Sequence, residues 1–492
     1  MAARMIAPGN ARLLHGVRAL LKEIAAGGVS DKTLLGLTAA DIVLNELMLR
    51  EDAAAYEAAY VAMRALLDEA VLLLDAKRGA ALREQLAGMP MGGGSKIGFS
   101  ALSGHLWTTF RGAEMLVEAA RDAPALDGVV AKMIAAEAAF YQGQVEQAPR
   151  PEMLQAAQTP SREALQAYLV QRDEAARPVI KSFTHLVGGF RKTTILFETE
   201  DAVRGPQSCV LRAEKAARFL EFCSLDIRDE FKVVGILYDA GLPVAKPLWL
   251  ESDAAALGNR FMVSARVLGK NYGSATTVNT KMTDEALRSF ITTLAKIHLV
   301  PVGAALKASA IGYWAAYPTM AENTLGFLEM WRRDFFEGKG NPSPILARIF
   351  SWLADNVPPD EEPLRLVHSD YGPHNILVHE NQVSGVLDWE SPRLGDPAED
   401  VSYFLQCVGA QADRAQALAW YEEAAGYRIS EYRLRYFDVF NMIKIIMGST
   451  MAAAMYEGNP DAEIEWCILA FRYIASVAGT VQEKIKLAEA CR

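Results

Sequence analysis

The sequence predicts an α+β protein: a small antiparallel-sheet lobe, a large helical lobe after it, and an extra all-helical domain in front. Three observations predict this. Residues 1–147 carry apolar side chains at helical spacing and are rich in Ala, Leu, Glu and Arg, which favour helix. After Pro178 the pattern changes to strands separated by turn residues. From about Thr283 it turns mainly helical again, broken by one strand-rich stretch, "LRLVHSDYGPHNILVHENQVSGVLDWE", Leu364–Glu390.

Composition sets the bounds. A chain of 492 residues suggests two to four units at roughly 100–200 residues each. A formal net charge of −10 argues against nucleic acid as a partner, though a local Arg/Lys pocket can still take a small anion. The five cysteines are scattered, with no C-x-x-C pair, so neither a disulfide framework nor a zinc site is expected. Reduced thiols, and a first stretch without the apolar core of a signal peptide, lead to a cytoplasmic expectation. No uncharged apolar stretch reaches the roughly 18 residues of a membrane helix, so no membrane partner is expected.

Taken in order, "NARLLHGVRALLKEIAAGG" is a helix that stops at Gly27-Gly28, and further helices follow through "LDGVVAKMIAAEAAFYQGQVEQ". "GMPMGGGSKIGFS" lacks the G-x4-G-K-[ST] spacing and a preceding strand, so it reads as an inter-helix loop rather than a phosphate loop. Residues 148–177 form a proline-marked linker and a connecting helix. The small lobe runs over 178–268. It holds "SFTHLVGGFRKTTILFETE" as a hairpin, "QSCVLRAEK" as a third strand, a helix from about Leu225 to Ala240, then "GLPVAKPLWLES" and "NRFMVSARVLG" as two more strands. Residues 269–492 are the helical lobe.

Within Leu364–Glu390, "LRLV" is a short strand, "HSDYGPHN" a loop, "ILV" and "VSGVL" two strands and "HENQ" the turn between them. Such a hairpin folds Asp388 back towards Asn375 and gathers Asp370, Asn375 and Asp388 around one point, each at the end of a rigid element. Any one of them alone is an ordinary turn former. Together they suit phosphoryl transfer: Asp370 can take a hydroxyl proton, while Asn375 and Asp388 offer hard oxygens of the kind Mg2+ prefers.

H-x-D-x4-N, the hairpin, "LDWE" and then "GDPAED" (Gly395–Asp400) together resemble the aminoglycoside phosphotransferase-like kinase family, relatives of the protein kinases. Within it they are most similar to the subgroup whose kinase domain is fused to acyl-CoA dehydrogenases. The resemblance implies a two-lobed protein-kinase-like fold using ATP and Mg2+, with Asp370 as catalytic base and Asn375 and Asp388 as metal ligands. It gives His368 a supporting role in the catalytic loop and has Asp400 brace the loop backbone. Ser369 departs from the pattern, which usually has Gly there. His298, His374 and His379 read as structural.

On the nucleotide side the resemblance puts Gly188 and Gly189 over the phosphates. Arg191-Lys192 stands where the family often has Ser-Asn; these bases either touch phosphate or form a solvated turn. Arg212 takes the place of the phosphate-contacting lysine, with Glu230 as its helix carboxylate. Ala265 and Val267 mark the hinge whose backbone would meet adenine. The expected function is ATP-dependent transfer of phosphate to a hydroxylated small molecule, in the subgroup a catabolic one such as a hydroxyacyl-CoA. An aminoglycoside-type antibiotic kinase is the runner-up. A nucleotide-binding pseudokinase acting through residues 1–147 is a third reading. Those helices could equally cap the acceptor site or mediate a homodimer.

Overall fold

The structure, a computed structural model, describes residues 54–73, 80, 99–119, 124–143, 160–186, 192–214, 224–273, 281–335, 341–360, 363–458 and 474–492. The helices expected before residue 54, the glycine-rich loop at 88–98, the Gly188-Gly189 turn with Arg191, and Cys223 and Cys467 lie outside the described residues. The chain forms two compact units: Met1–Gln155 with Phe327–Val357 and Val439–Arg492, and Ala156–Gly326 with Pro358–Asp438. The first unit thus draws on both the 1–147 and the 269–492 ranges.

In that first unit, α1 (Ala54–Leu73), α2 (Phe99–Ala119) and α3 (Asp127–Gly143) pack together. Tyr56, Tyr60, Met63 and Leu67 recur at spacings of three and four and are buried, so α1 presents one apolar stripe. Phe140 of α3 receives Tyr56 edge-on at 5.0 Å and Phe110 at 5.9 Å between ring centroids. The helix Pro344–Asp355 packs on α2 and α3. Its N-cap, Ser343, accepts from the Leu346 N–H at 3.2 Å. Among the described helices none is long and apolar enough to cross a membrane.

The second unit begins with α4 (Arg162–Arg172) and a five-stranded antiparallel sheet in the order β1-β2-β3-β5-β4: β1 Val179–Leu186, β2 Lys192–Asp201, β3 Gly205–Glu214, β4 Pro247–Glu251, β5 Phe261–Ala265. Leu165 and Leu169 of α4 share a core with Ile195, Phe197, Leu211, Phe261 and Val263. Because strand side chains alternate, Arg212, next to Leu211, faces away from that core. The register sets Thr194 opposite Arg212 and Lys192 opposite Glu214, so Lys192 and Arg212 share that face. The helix α5 (Ile227–Asp239) packs against β4 and β5. Asp226 caps it, accepting from the N–H groups of Arg228 and Asp229 at 2.9 and 3.0 Å.

The helical part of this unit carries α6 (Asp284–His298) and two short pieces of strand pairing. β6 (Arg365–Val367) pairs with β9 (Arg393–Gly395), and β7 (Ile376–His379) with β8 (Gln382–Val386). Glu380 and Asn381 join β7 to β8 with φ of 49° and 61°, the paired positive values of a two-residue hairpin turn. Two further helices follow, α7 (Ala398–Val408) and α8 (Arg414–Ala425). Cys209, Cys407 and Cys491 are free thiols.

Candidate active site

Every side chain of the site belongs to the second unit. The loop between β6 and β7 is held from below by Asp400 of α7. Its carboxylate accepts the His368 N–H at 2.7 Å and the Ser369 N–H at 2.8 Å. Asp400 is buried; that burial raises its pKa, but His298 and His368 outweigh it and keep the carboxylate below its ordinary range. His298 Nε2 lies 3.3 Å from Asp400, and His298 Nδ1 lies 2.6 Å from the Tyr421 hydroxyl of α8. Ser369 adopts φ +66°. That left-handed conformation suits Gly and explains why a Gly is usual there.

His368 ties the loop to the hairpin. The Asp370 N–H donates to its Nδ1 at 3.3 Å, so Nε2 carries the proton that meets the Leu387 carbonyl at 2.8 Å. The Leu387 N–H in turn donates to the Asn375 carbonyl at 2.8 Å. Asn375 Nδ2 reaches both the carbonyl and Oδ2 of Asp370 at 3.0 Å. The structure therefore brings Asp370 and Asn375 into direct contact and sets Asp388 just beyond the strand that follows Asn375 back.

Arg212 reaches this hairpin from the sheet. Its Nη1 pairs with Glu230 Oε1 at 2.6 Å, and its Nη2 pairs with Asp388 Oδ1. Lys192 Nζ pairs with Glu230 Oε2 and, at 2.9 Å, with Glu390. A chain of five charges results: Glu390, Lys192, Glu230, Arg212, Asp388. Glu230 is fully buried and Lys192 nearly so. Burial opposes the charge on both cations, but Glu230 first, then Asp388 and Glu390 for Arg212, hold the guanidinium raised, and Lys192 is raised for the same reason. Burial likewise opposes the Asp388 carboxylate, yet Arg212 and Lys192 lower it. Lys192 is thus no solvated turn residue, and Glu390, the last letter of "LDWE", is its partner. Nothing in the strand pattern reveals this; only the β2–β3 register does.

Ala265, the last residue of β5, and Val267 just after it are the residues expected from the resemblance to mark the hinge. Ala265 commits its N–H to the Lys246 carbonyl at 2.9 Å. Val267 packs on the hairpin, its Cγ1 3.1 Å from where a Cβ on Gly385 would sit. Gly269 allows a still closer approach: an added Cβ would meet Leu377 Cβ at 2.8 Å. The residues Asn375 and Asp388 fit a small hard cation. Asn375 uses its amide nitrogen for Asp370 and Asp388 uses one oxygen for Arg212, so Asn375 keeps its amide oxygen and Asp388 its second carboxylate oxygen, the few-oxygen donor set that Mg2+ takes with phosphate and water. Among the described residues no cluster of three or more His, Cys, Asp or Glu side chains forms a closed protein-only metal site.

Comparison with known proteins gives the family and the fold. The chain is 30% identical over 206 residues to acyl-CoA dehydrogenase family member 11 of Gallus gallus, a match covering 41% of this chain and 26% of that one. To the Homo sapiens protein of the same name it is 28% identical over 205 residues, covering 41% and 25%. The match thus spans about a quarter of the length of these relatives. A crystal structure from Ralstonia eutropha, named as an aminoglycoside phosphotransferase, is 21% identical, with a TM-score of 0.50 over 68% of this chain and 100% of that one; it shows the kinase-like fold. The model of the phosphotransferase enzyme family matches residues 182–435, just over half of the chain. With a five-stranded antiparallel sheet and a loop and hairpin that carry Asp370, Asn375 and Asp388, this chain is a member of the APH phosphotransferase enzyme family.

Proposed function

We propose that the protein is an ATP- and Mg2+-dependent O-phosphotransferase that phosphorylates a hydroxyl group of a small molecule, a hydroxyacyl-CoA or a similar hydroxylated metabolite. One observation carries the reading: Asp370 and Asn375 touch, and Arg212 joins Asp388 of the same hairpin to Glu230. Phosphoryl transfer is mostly positioning and charge stabilisation, and these residues supply both. The acceptor hydroxyl gives its proton to Asp370 as its oxygen bonds to the γ-phosphorus. The bond from γ-phosphorus to the bridging oxygen breaks, and ADP leaves with the electron pair. Asn375 keeps the Asp370 carboxylate oriented. Arg212, held charged by Glu230, would turn its remaining N–H groups to phosphate oxygens. Asn375 and Asp388 would hold Mg2+, which when bound supplies positive charge against the β- and γ-phosphates. The backbone near Ala265 and Val267 would receive adenine, with Ala265 contributing its carbonyl since its N–H is already spent.

The acceptor class rests on the relatives' name, acyl-CoA dehydrogenase, and on the subgroup motifs. The test is to incubate the full chain with MgATP and pooled hydroxylated metabolites, hydroxyacyl-CoA esters among them, and to look by mass spectrometry for an added phosphate. Asp370→Asn should lower turnover by about 10²–10⁴ while leaving the thermal shift caused by MgATP nearly intact. Unchanged turnover in that variant removes Asp370 from the reaction.

A further inference from the structure

We propose that His374 is a positioning residue for the transfer: its Nε2–H donates to Asp370 Oδ2 and holds that carboxylate in the rotamer that faces the acceptor. This rests on the reading of Asp370 given above. His374 Nε2 lies 3.3 Å from Asp370 Oδ2, the same oxygen that accepts from Asn375 Nδ2 at 3.0 Å. Two donors from successive residues thus converge on one carboxylate oxygen, and the Tyr403 hydroxyl of α7 also hydrogen-bonds Asp370. Two donors fix a carboxylate plane better than one, and misplacing a reacting group by about 1 Å costs on the order of 10² in rate.

The surrounding chain is shaped to keep the imidazole there. Asn271 Nδ2 donates to the His374 carbonyl at 2.6 Å and pins its backbone. Pro373, His374 and Asn375 form one turn of 3₁₀-helix, which aims the ring back over the loop. Gly372 supplies the space beneath it: an added Cβ would lie 2.4 Å from His374 Cε1 and 2.6 Å from Nδ1. The pair is also accessible, as the Asp370 side chain is 40% and the His374 side chain 19% exposed. His298, which braces Asp400 from beneath the loop, is by contrast fully buried.

The experiment measures MgATP consumption with the hydroxylated-metabolite pool, and the MgATP thermal shift, for the full chain and for His374→Leu, His374→Gln, Gly372→Ala and the double variant Gly372→Ala/His374→Leu. His374→Leu should lower kcat roughly 10- to 100-fold with the KM for ATP and the thermal shift unchanged. His374→Gln, which keeps an N–H donor, should recover most of that loss. Gly372→Ala should reproduce the loss when the imidazole is present and add little when Leu replaces it. A His374→Leu kcat within twofold of the parent, a Gln variant as slow as the Leu variant, or additive losses in the double variant overturns the inference. Should His374→Leu fail to fold, Gly372→Ala and His374→Gln decide it: the inference requires the first to be slow and the second to be fast. Asp370→Asn, run alongside, separates the two readings. If it is slow and His374→Leu is not, only the present inference falls; if it too is fast, the role of Asp370 falls first.

Discussion

Glu137 and Glu230 are both helix glutamates with no exposed surface, and the two units treat them in opposite ways. Glu230, in the kinase-like unit, faces two cations, Arg212 and Lys192, one on each oxygen. Glu137, in the helical unit, has hydrogen bonds and a helix terminus: Ser343 Oγ and the Ile345 N–H each donate to it at 2.6 Å. Burial drives its pKa up to about 8, and the two hydrogen bonds offset only part of that. Burial alone therefore does not mark a working carboxylate. A glutamate neutralised by two fixed cations, one of which, Arg212, also reaches Asp388, is wired to the site. One that meets a helix N-terminus seats the helix Pro344–Asp355 against α3.

The largest effect that tests this contrast is at Glu230. Removing one partner from a buried ionic network leaves uncompensated charge, typically costing about 3–5 kcal/mol. Glu230→Gln should destabilise the protein by an amount of that order in denaturant unfolding. It should also lower turnover by freeing Arg212 to swing wholly to Asp388. A stability loss under about 1 kcal/mol, the scale of a surface pair, would make Glu230 no different from an exposed partner and erase the contrast.

The second test uses pH at Glu137. Its folded pKa, about 8, lies above the ordinary value of 4.5, so the folded state holds the proton more tightly than the unfolded chain. The stability linked to that proton is fully present below about pH 4.5 and is lost as pH rises through about 8. Relative to the parent, Glu137→Gln should therefore be near neutral at pH 5 and stabilising by on the order of a few kcal/mol at pH 8.5. Thermal unfolding of both chains across that range reads the difference. Parallel curves would mean that Glu137 is ionised in the fold and that its helix terminus does the work of a cation.

What could be read from the sequence follows the same division. The hairpin strands, the loop between them and the convergence of Asp370 with Asn375 depend on spacings of a few residues, which the sequence displays directly. So does the departure at Ser369, whose φ of +66° gives the usual glycine its reason. Lys192 did not declare itself, because a basic residue after a glycine turn looks the same whether solvated or buried. Its place depends on a helix carboxylate 38 residues away and on strand register. His374 read as a loop residue, since its contact with Asp370 arises only from the 3₁₀ turn and the gap at Gly372. Glu137 sits in an alanine-rich helix whose local pattern says nothing of a serine 206 residues later.

The smallest expected effect is at that serine. Ser343 Oγ accepts from the Leu346 N–H at 3.2 Å and donates to Glu137 at 2.6 Å, so it serves as helix cap and carboxylate donor at once. Ser343→Ala should cost about 1 kcal/mol as a lost N-cap, and more at high pH, where the ionised Glu137 is left with the Ile345 N–H alone. In the Glu137→Gln background the pH-dependent part should vanish while the cap loss remains. A double-mutant cycle at pH 8.5 should then show a coupling of at least about 0.5 kcal/mol, shrinking towards zero at pH 5. A coupling equal at both pH values would show that Ser343 caps the helix without regard to the proton on Glu137, and the helical unit's carboxylate would be held by the backbone N–H alone.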